Sequence, residues 1–247
     1  MSNHPDFTSH GYQIIRELGR NREAGRIIYL ATDLNKERQV VTKEFRFAIA
    51  GADWSGYKAY QREIELLQQL NHPRIPRYLN SFETSSGFCL VQEYKNAPSL
   101  AERRSFTPEQ IQQIAVSVLE ILVYLQKRTP PVIHRDIKPS NIMLKPNGDL
   151  VLIDFGGSRA VSSTVINQGG STEVYSSFYS PPEQRIEGEF AAKPPSDFYA
   201  LGQTFVHLST GDTNTSDLAI WHRRTRFGVS PIIHLINWMN SIHEWFY

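Results

Sequence analysis

The chain has 247 residues, with 26 Lys and Arg against 25 Asp and Glu and a formal net charge of +1, so no overall field directs it to nucleic acid or to an anionic membrane. Its 40% of apolar and 21% of charged residues exclude disordered, collagen-like and coiled-coil proteins and predict a globular fold with a sizeable core. No stretch reaches the roughly 18 apolar residues of a membrane span, and the first residues lack the apolar region of a signal peptide. We therefore expect a cytoplasmic protein without a membrane segment, in which the one cysteine, Cys89, is a buried thiol.

The first third of the chain is predicted to be mainly β-sheet. Residues 1–11 have the composition of a flexible tail. The β-rich runs that follow are short and are bounded by turn residues; they cover residues 13–18, 26–32, 39–45 and 87–93.

One helix is predicted to interrupt this sheet between Tyr57 and Leu70, because apolar residues recur there at a spacing of about 3.6. Glu63 falls inside the apolar stripe of this helix, whereas Glu65 points away from it. A carboxylate within an apolar face requires a cationic partner. We therefore expect Glu63 to form a buried ion pair.

The character of the sequence changes after the polar segment 94–98, which we predict to connect two parts of the chain, 12–94 and 95–247. Thr107 is a predicted helix N-cap, followed by a proline at the first helical position and by Gln110 at the capping-box position. Apolar residues then continue at helical spacing, which predicts a long core helix.

A β-hairpin is predicted around Asn147 and Gly148, because Asn-Gly between two apolar runs is a strong signal for a two-residue turn. Counting six residues outward from each of these positions reaches Asn141 and Asp154. The hairpin is therefore expected to bring an amide oxygen and a carboxylate together at its open end. Magnesium accepts a few such oxygen ligands and completes its coordination with water or phosphate.

Two motifs carry a resemblance to a known family. The run His-Arg-Asp-Ile-Lys-Pro-Ser-Asn at 134–141 and the run Asp-Phe-Gly at 154–156 resemble the eukaryotic-type protein kinases. The resemblance implies an α+β, bilobal fold, with a β-rich N-terminal lobe that contains one main helix and a helical C-terminal lobe. It also implies ATP and Mg²⁺ as cofactors.

The same resemblance assigns roles to the residues of these motifs. Asp136 would be the catalytic base that orients the substrate hydroxyl, and Asn141 and Asp154 would be the magnesium ligands. Lys138, two residues after Asp136, is similar to the serine/threonine version of this loop and would neutralise the transferring phosphoryl group.

Upstream, the run Val-Val-Thr-Lys that ends at Lys43 resembles the Val-Ala-Ile-Lys strand of the family. Because Glu63 follows twenty residues later, the resemblance implies that Glu63 is the partner of Lys43 and that the ammonium binds the phosphates of ATP. The phosphate-cradling loop matches only at Gly19 and Gly25, with an additional residue between them. The basic side chains that either compensate for the missing glycine or belong to a solvated loop are Arg20, Arg22 and Arg26.

By the same resemblance, the adenine would lie between Ile27, Val41 and Met143. Its edge would bond to the backbone of Glu93 and Lys95. Gln92 would be the gatekeeper residue of this pocket.

Downstream, Pro181-Pro182-Glu183 resembles the end of a kinase activation segment, Ser176 takes the place of its conserved threonine, and Asp197 would brace the catalytic loop. The family continues beyond the position of Tyr247 into a segment whose arginine pairs with the glutamate. The resemblance therefore implies a bacterial kinase truncated at its C-terminus, with a C-terminal lobe that lacks its last helix.

The sequence favours an ATP-dependent serine/threonine protein kinase that acts on protein substrates. Two alternatives stay open: a truncated or inactive kinase-like module that binds nucleotide and regulates a partner, and a small-molecule phosphotransferase. Nothing in the sequence indicates binding to nucleic acid, and the oligomeric state is not readable from it.

Overall fold

The computed structural model describes residues 4–21, 25–46, 54–102, 105–160, 178–180 and 193–210. The chain divides into two compact units. The first comprises Met1–Asn96 and Phe155–Gly157, and the second comprises Ala97–Asp154 and Ser158–Tyr247. The change from one unit to the other after Asn96 lies within the segment 94–98 that the sequence predicts to be a connection.

The first unit contains a five-stranded antiparallel sheet with the strand order β1-β2-β3-β5-β4. A helix, α1 (Trp54–Gln69), lies between β3 and β4 in the chain. The strands are β1 (Tyr12–Asn21), β2 (Arg26–Asp33), β3 (Arg38–Arg46), β4 (Tyr78–Thr84) and β5 (Gly87–Glu93).

The register of β2 against β3 assigns side chains to the two faces of this sheet. Ile28 lies opposite Lys43, and Leu30 lies opposite Val41, so these four side chains share one face. Helix α1 packs on this face, where the Tyr60 ring contacts the rings of two sheet residues, with centroids 5.2 Å from Phe45 and 5.0 Å from Phe88.

The other face of the sheet carries a separate apolar cluster. Cys89 belongs to it and is fully buried, as predicted. Burial raises the pKa of its thiol, which agrees with a structural role rather than a reactive one. The other sheet residues of this cluster are Tyr12, Ile27, Tyr29, Ala31, Val40 and Val91.

The N-terminal segment covers part of this second face. Phe7 is only 3% exposed, and its ring lies 5.4 Å from Phe82 and 6.4 Å from Tyr29. A short 3-10 helix, Thr8–His10, follows and ends at Gly11, whose φ of 85° lies in the left-handed region. Although a flexible tail is predicted for residues 1–11, an aromatic anchor packs this part of the segment onto the sheet.

The second unit contains the predicted long helix, α2 (Pro108–Gln126). Its capping box is confirmed: the Thr107 hydroxyl accepts a hydrogen bond from the Gln110 amide at 3.3 Å, and the Gln110 side chain accepts one from the Thr107 amide at 3.1 Å. Helix α3 (Pro194–Thr210) packs against α2. The short strands of this unit pair as β6 (Val132–Ile133) with β9 (Arg159–Ala160) and as β7 (Ile142–Leu144) with β8 (Leu150–Leu152).

The hairpin of β7 and β8 is present, but its predicted two-residue turn is wrong. Leu144 pairs with Leu150, and the loop is closed by hydrogen bonds from the Lys145 amide to the Asp149 carbonyl (2.9 Å) and from the Gly148 amide to the Lys145 carbonyl (3.0 Å). This is a three-residue loop in which Pro146 takes the second turn position, which proline favours, and Gly148 adopts a left-handed φ of 86°.

The corrected register changes what lies at the open end of the hairpin. Asn141 now faces Ile153, whose amide donates to the Asn141 carbonyl at 2.9 Å, and Asp154 is the next residue along the chain.

Among the helices in the described ranges, none is both long and apolar enough to cross a membrane.

Candidate active site

The predicted ion pair between β3 and α1 is present in the first unit. Lys43 Nζ lies 2.7 Å from Glu63 Oε1, and the two side chains are 3% and 1% exposed. Lys43 lies on the face of the sheet on which α1 packs, and Glu63 lies in the apolar stripe of α1 that faces the sheet. The two side chains therefore meet between the sheet and the helix. The pair fixes an ammonium group on the covered face of the sheet.

In the second unit, the loop before β7 places two polar side chains on one carboxylate oxygen. Asp136 Oδ2 accepts hydrogen bonds from Asn141 Nδ2 at 2.8 Å and from Lys138 Nζ at 2.9 Å. Asn141 Nδ2 also donates to the Asp136 backbone carbonyl at 2.8 Å. Residues 139–141 form a 3-10 turn that begins at Pro139, and this turn carries Asn141 back toward Asp136.

A buried carboxylate on α3 holds the start of this loop. Asp197 is 1% exposed, and its two oxygens accept the backbone amides of His134 and Arg135, each at 2.8 Å. Arg135 has a φ of 68°, an uncommon conformation for a residue with a side chain. The predicted bracing role of Asp197 agrees with these bonds.

His134 is a structural part of the loop that the sequence analysis did not assign. Its ring is fully buried, with Nδ1 accepting from the Asp136 amide at 3.3 Å and Nε2 within 3.2 Å of the Ile153 carbonyl. Since a carbonyl can only accept, Nε2 carries the proton and the imidazole is neutral. Its position beside Asp136 in the motif was visible in the sequence, but its partners are backbone groups that no side-chain pattern announces.

The surroundings of Asp136 make its carboxylate more basic than usual. Burial raises the pKa of Asp136, the Lys138 ammonium opposes this shift, and the neighbouring Asp154 carboxylate adds to it. Asp154 itself has a left-handed φ of 64°. Two carboxyl groups that influence each other in this way are a suitable environment for a cation.

The oxygen donors beside Asp136 fit a magnesium ion. Because Asn141 Nδ2 is engaged with Asp136, its Oδ1 is the atom of the amide that can act as a ligand. An amide oxygen and the Asp154 carboxylate are hard donors of the kind that magnesium binds. Within the described ranges, no group of three or more His, Cys, Asp or Glu side chains could hold a metal ion. Magnesium usually keeps several waters or substrate phosphates beside one or two protein ligands.

The residues predicted to surround the adenine are divided between the two faces of the sheet. Val41 and Gln92 lie opposite each other on the face that carries Lys43. Ile27 instead lies on the opposite face, packed in the cluster with Tyr29, and Ile28 occupies the position beside Lys43. Successive residues of a strand alternate between faces, so a shift of one residue reverses the assignment.

Gly19 and Gly25 are the two glycines predicted to belong to the phosphate loop. Gly19 pairs with Ile28 in the sheet. Gly25 has a φ of 58°, and a Cβ there would lie 2.6 Å from the Arg46 carbonyl oxygen, so its backbone requires glycine.

Glu93, the last residue of β5, and Lys95 are the residues predicted to bond to the adenine edge through their backbone. Glu93 pairs with Lys95 at 2.8 Å, and its amide donates to the Arg77 carbonyl at 2.9 Å. In the second unit, Met143 is half-buried in β7 and bridges to Ser99. Of the residues singled out in the sequence, those that lie outside the described ranges are Arg22, Ser176, Pro181, Pro182, Glu183 and the segment 211–247.

We predict that Glu63→Gln lowers the free energy of unfolding by roughly 3 kcal/mol, because it leaves the buried Lys43 ammonium beside a neutral group. The matched control is Glu65→Gln on the exposed side of the same helix, which should change it by less than about 0.5 kcal/mol. Urea denaturation of both variants measures the difference. Equal effects would mean that the ion pair does not stabilise the unit.

The pKa of Asp197 predicts how its contribution to the free energy of unfolding depends on pH. Burial raises its pKa to about 6, although the amides of His134 and Arg135 lower it. The folded chain therefore holds this proton more tightly than the unfolded chain, so the stabilisation from protonation is complete below about pH 4 and is lost as the pH rises through about 6.

The unfolding free energy of the wild type minus that of Asp197→Asn should accordingly fall by up to about 3 kcal/mol between pH 4 and pH 7. Urea denaturation at four pH values measures this difference. A difference that stays constant or rises over this range would contradict the assignment of the shift to Asp197.

Comparison with known proteins agrees with this geometry. A family model described as the protein kinase domain matches residues 12–240. The chain is 30% identical over 213 residues to serine/threonine-protein kinase C of Synechocystis sp., which covers 82% of this chain and 39% of that protein. It is 33% identical over 202 residues to serine/threonine-protein kinase PrkC of Bacillus subtilis, covering 81% of this chain and 30% of the relative.

A third relative, serine/threonine-protein kinase PknA of Nostoc sp., is 29% identical over 245 residues, covering 90% of this chain and 42% of its own length. The chain thus spans less than half of each of these three relatives. The resemblance inferred from the two motifs and the α+β kinase fold are both confirmed. With its matched domain, its serine/threonine kinase relatives and its paired Lys43 and Glu63, the chain belongs to the protein kinase family.

Proposed function

We propose that this chain transfers the γ-phosphoryl group of ATP to serine and threonine hydroxyls of proteins. The observation that carries this proposal is the arrangement at Asp136, whose Oδ2 accepts from both Lys138 and Asn141. A carboxylate fixed through one oxygen keeps its other oxygen in a defined direction. This is what a group needs in order to orient a hydroxyl for attack.

In the proposed reaction, the substrate hydroxyl donates its hydrogen bond to Asp136 Oδ1. The hydroxyl oxygen forms a bond to the γ-phosphorus while the bond to the oxygen between the β- and γ-phosphorus atoms breaks, and ADP leaves. The hydroxyl proton passes to Asp136. Burial and the Asp154 carboxylate, which raise the pKa of Asp136, make it a better acceptor for this proton.

Lys138 is placed to act on charge rather than on protons. Its ammonium lies 2.9 Å from Asp136 Oδ2, and the Lys138 side chain is 24% exposed. The ammonium can therefore also approach an oxygen of the phosphoryl group that is transferred. A cation there stabilises the charge that is spread over the transferring group.

The proposed magnesium ligands are Asn141 Oδ1 and the Asp154 carboxylate. Bound Mg²⁺ would neutralise negative charge on the phosphates during transfer. Lys43, held by Glu63 at 2.7 Å, is proposed to bind the phosphates from the first unit. Glu63 contributes by fixing the ammonium, which makes it a positioning residue.

For the adenine, we propose Ile28 in place of Ile27, because Ile28 shares a sheet face with Val41 and Lys43. Met143 is retained from the family resemblance. The Glu93 amide is already bonded to Arg77, so the Glu93 carbonyl and the Lys95 backbone are the proposed partners for the adenine edge. Gly19 is retained as part of the phosphate loop.

Requirements for ATP and for a reduced Cys89 thiol are both met in the cytoplasm, which is the location we propose. The protein substrates are proposed to present a serine or threonine side chain that can reach Asp136 Oδ1. A module that binds nucleotide without transferring phosphate is the alternative function, and the experiment below separates the two.

We predict that Asp136→Asn lowers phosphate transfer from [γ-³²P]ATP to a generic protein acceptor by about 100-fold or more, the range expected for a positioned base. Nucleotide affinity, measured by calorimetry, should stay close to that of the wild type. The matched control is Asp149→Asn in the exposed hairpin loop, 53% exposed through its side chain, which should leave transfer unchanged.

Retained transfer by Asp136→Asn would reject the proposed role of this carboxylate. Binding of ATP without transfer by the wild-type chain would instead favour the nucleotide-binding module.

A further inference from the structure

A basic residue occupies the place in the phosphate loop where the family resemblance leads one to expect glycine. The expected glycine precedes the adenine-facing residue by two positions, and Gly25 meets this requirement only if that residue is Ile27. Ile28 is the residue that we propose for this role, since it lies on the sheet face of Lys43, and the corresponding position is then Arg26. Gly25 is explained separately by its close approach to the Arg46 carbonyl.

Arg26 lies on the same face of the sheet as Lys43. Arg26 pairs with Phe45, two residues beyond Lys43 on β3, and diagonal neighbours of this kind have their Cα atoms about 7–8 Å apart. Both side chains are long, so their charged ends can contact one polyphosphate. The other basic residue described in this loop is Arg20, which is bound to Glu17 at 2.8 Å and is 44% exposed.

The Arg26 guanidinium lies beside Phe45 and Gly156. Its Cζ lies 5.2 Å from the centroid of the Phe45 ring, within the range of a cation–π interaction. A Cβ built on Gly156 would lie 2.6 Å from Arg26 Nη1 and 3.0 Å from Nη2, so the guanidinium rests directly on the backbone of Gly156. This glycine follows Asp154, the proposed magnesium ligand, by two residues.

We propose that Arg26 is a phosphate-binding residue of this kinase. Its side chain would make a contact with phosphate that backbone amides of a glycine make elsewhere in the family. The proposal rests on the proposed function, since it requires a nucleoside triphosphate on this face of the sheet. Guanidinium presents a planar fork of donors that matches two phosphate oxygens. The Arg26 guanidinium would bind the phosphates together with the Lys43 ammonium, which is paired with Glu63.

The test compares the binding of MgATP and of adenosine by calorimetry. Arg26→Met keeps an apolar stem against Phe45 and removes the charge, and it should weaken MgATP binding by about tenfold or more while adenosine binding stays within about twofold. Arg26→Lys should give an intermediate loss of MgATP affinity. The matched control, Arg62→Met on the exposed side of α1, should bind both ligands as the wild type does.

A Lys43→Met arm separates this inference from the proposed function. If Lys43→Met loses MgATP affinity and Arg26→Met does not, the role of Arg26 is rejected and the kinase proposal stands. If Arg26→Met loses affinity for adenosine and MgATP equally, Arg26 only supports the fold and the inference is also rejected. Failure of the wild type to bind MgATP would overturn both.

Discussion

The geometry of the candidate site depends on one buried carboxylate that accepts two consecutive backbone amides. Asp197, on α3, binds the amides of His134 and Arg135, and the His134 ring then binds the amide of Asp136. Three successive residues of the loop are thus fixed through their backbone. The side chain of Asp136 is left to bind Lys138 and Asn141.

This arrangement is costly, and the costs are concentrated in the loop. Arg135 and Asp154 both adopt left-handed conformations, which cost on the order of 1–3 kcal/mol each for residues with side chains. Asp197 is 1% exposed, and this burial disfavours its charged form and raises its pKa. The hydrogen bonds to buried groups hold this strained backbone in place. In the proposed reaction, the carboxylates of Asp136 and Asp154 would then need little reorganisation when a substrate binds.

Sequence reasoning was most successful where a periodic pattern and a motif agreed. Glu63 was recognised twice, as an acidic residue inside an apolar helix stripe and as the partner expected twenty residues after Lys43, and the ion pair is present. The capping box is a local motif that two residues three positions apart, Thr107 and Gln110, determine. In both cases the information lay within one element or in a spacing that the fold preserves.

Errors arose where one residue of register or a distant contact decided the outcome. Pro146 lengthens the hairpin loop by one residue, and Ile27 lies on the sheet face opposite the one that carries Lys43 and Val41; in a strand, each step of one residue moves side chains to the opposite face. Phe7 is buried by Tyr29 and Phe82, which are remote in the sequence. The partners of His134 are backbone groups, which no pattern of side chains reveals.

We propose that Asn141 and Asp154 hold a divalent cation next to the fixed carboxylate of Asp136. Crystals grown with Mn²⁺ and a non-hydrolysable ATP analogue allow this ion to be located by anomalous diffraction. The account predicts a peak at a coordination distance of about 2.1 Å from Asn141 Oδ1 and from an Asp154 carboxylate oxygen. A cation bound by other protein groups, with neither of these two oxygens as a ligand, would contradict it.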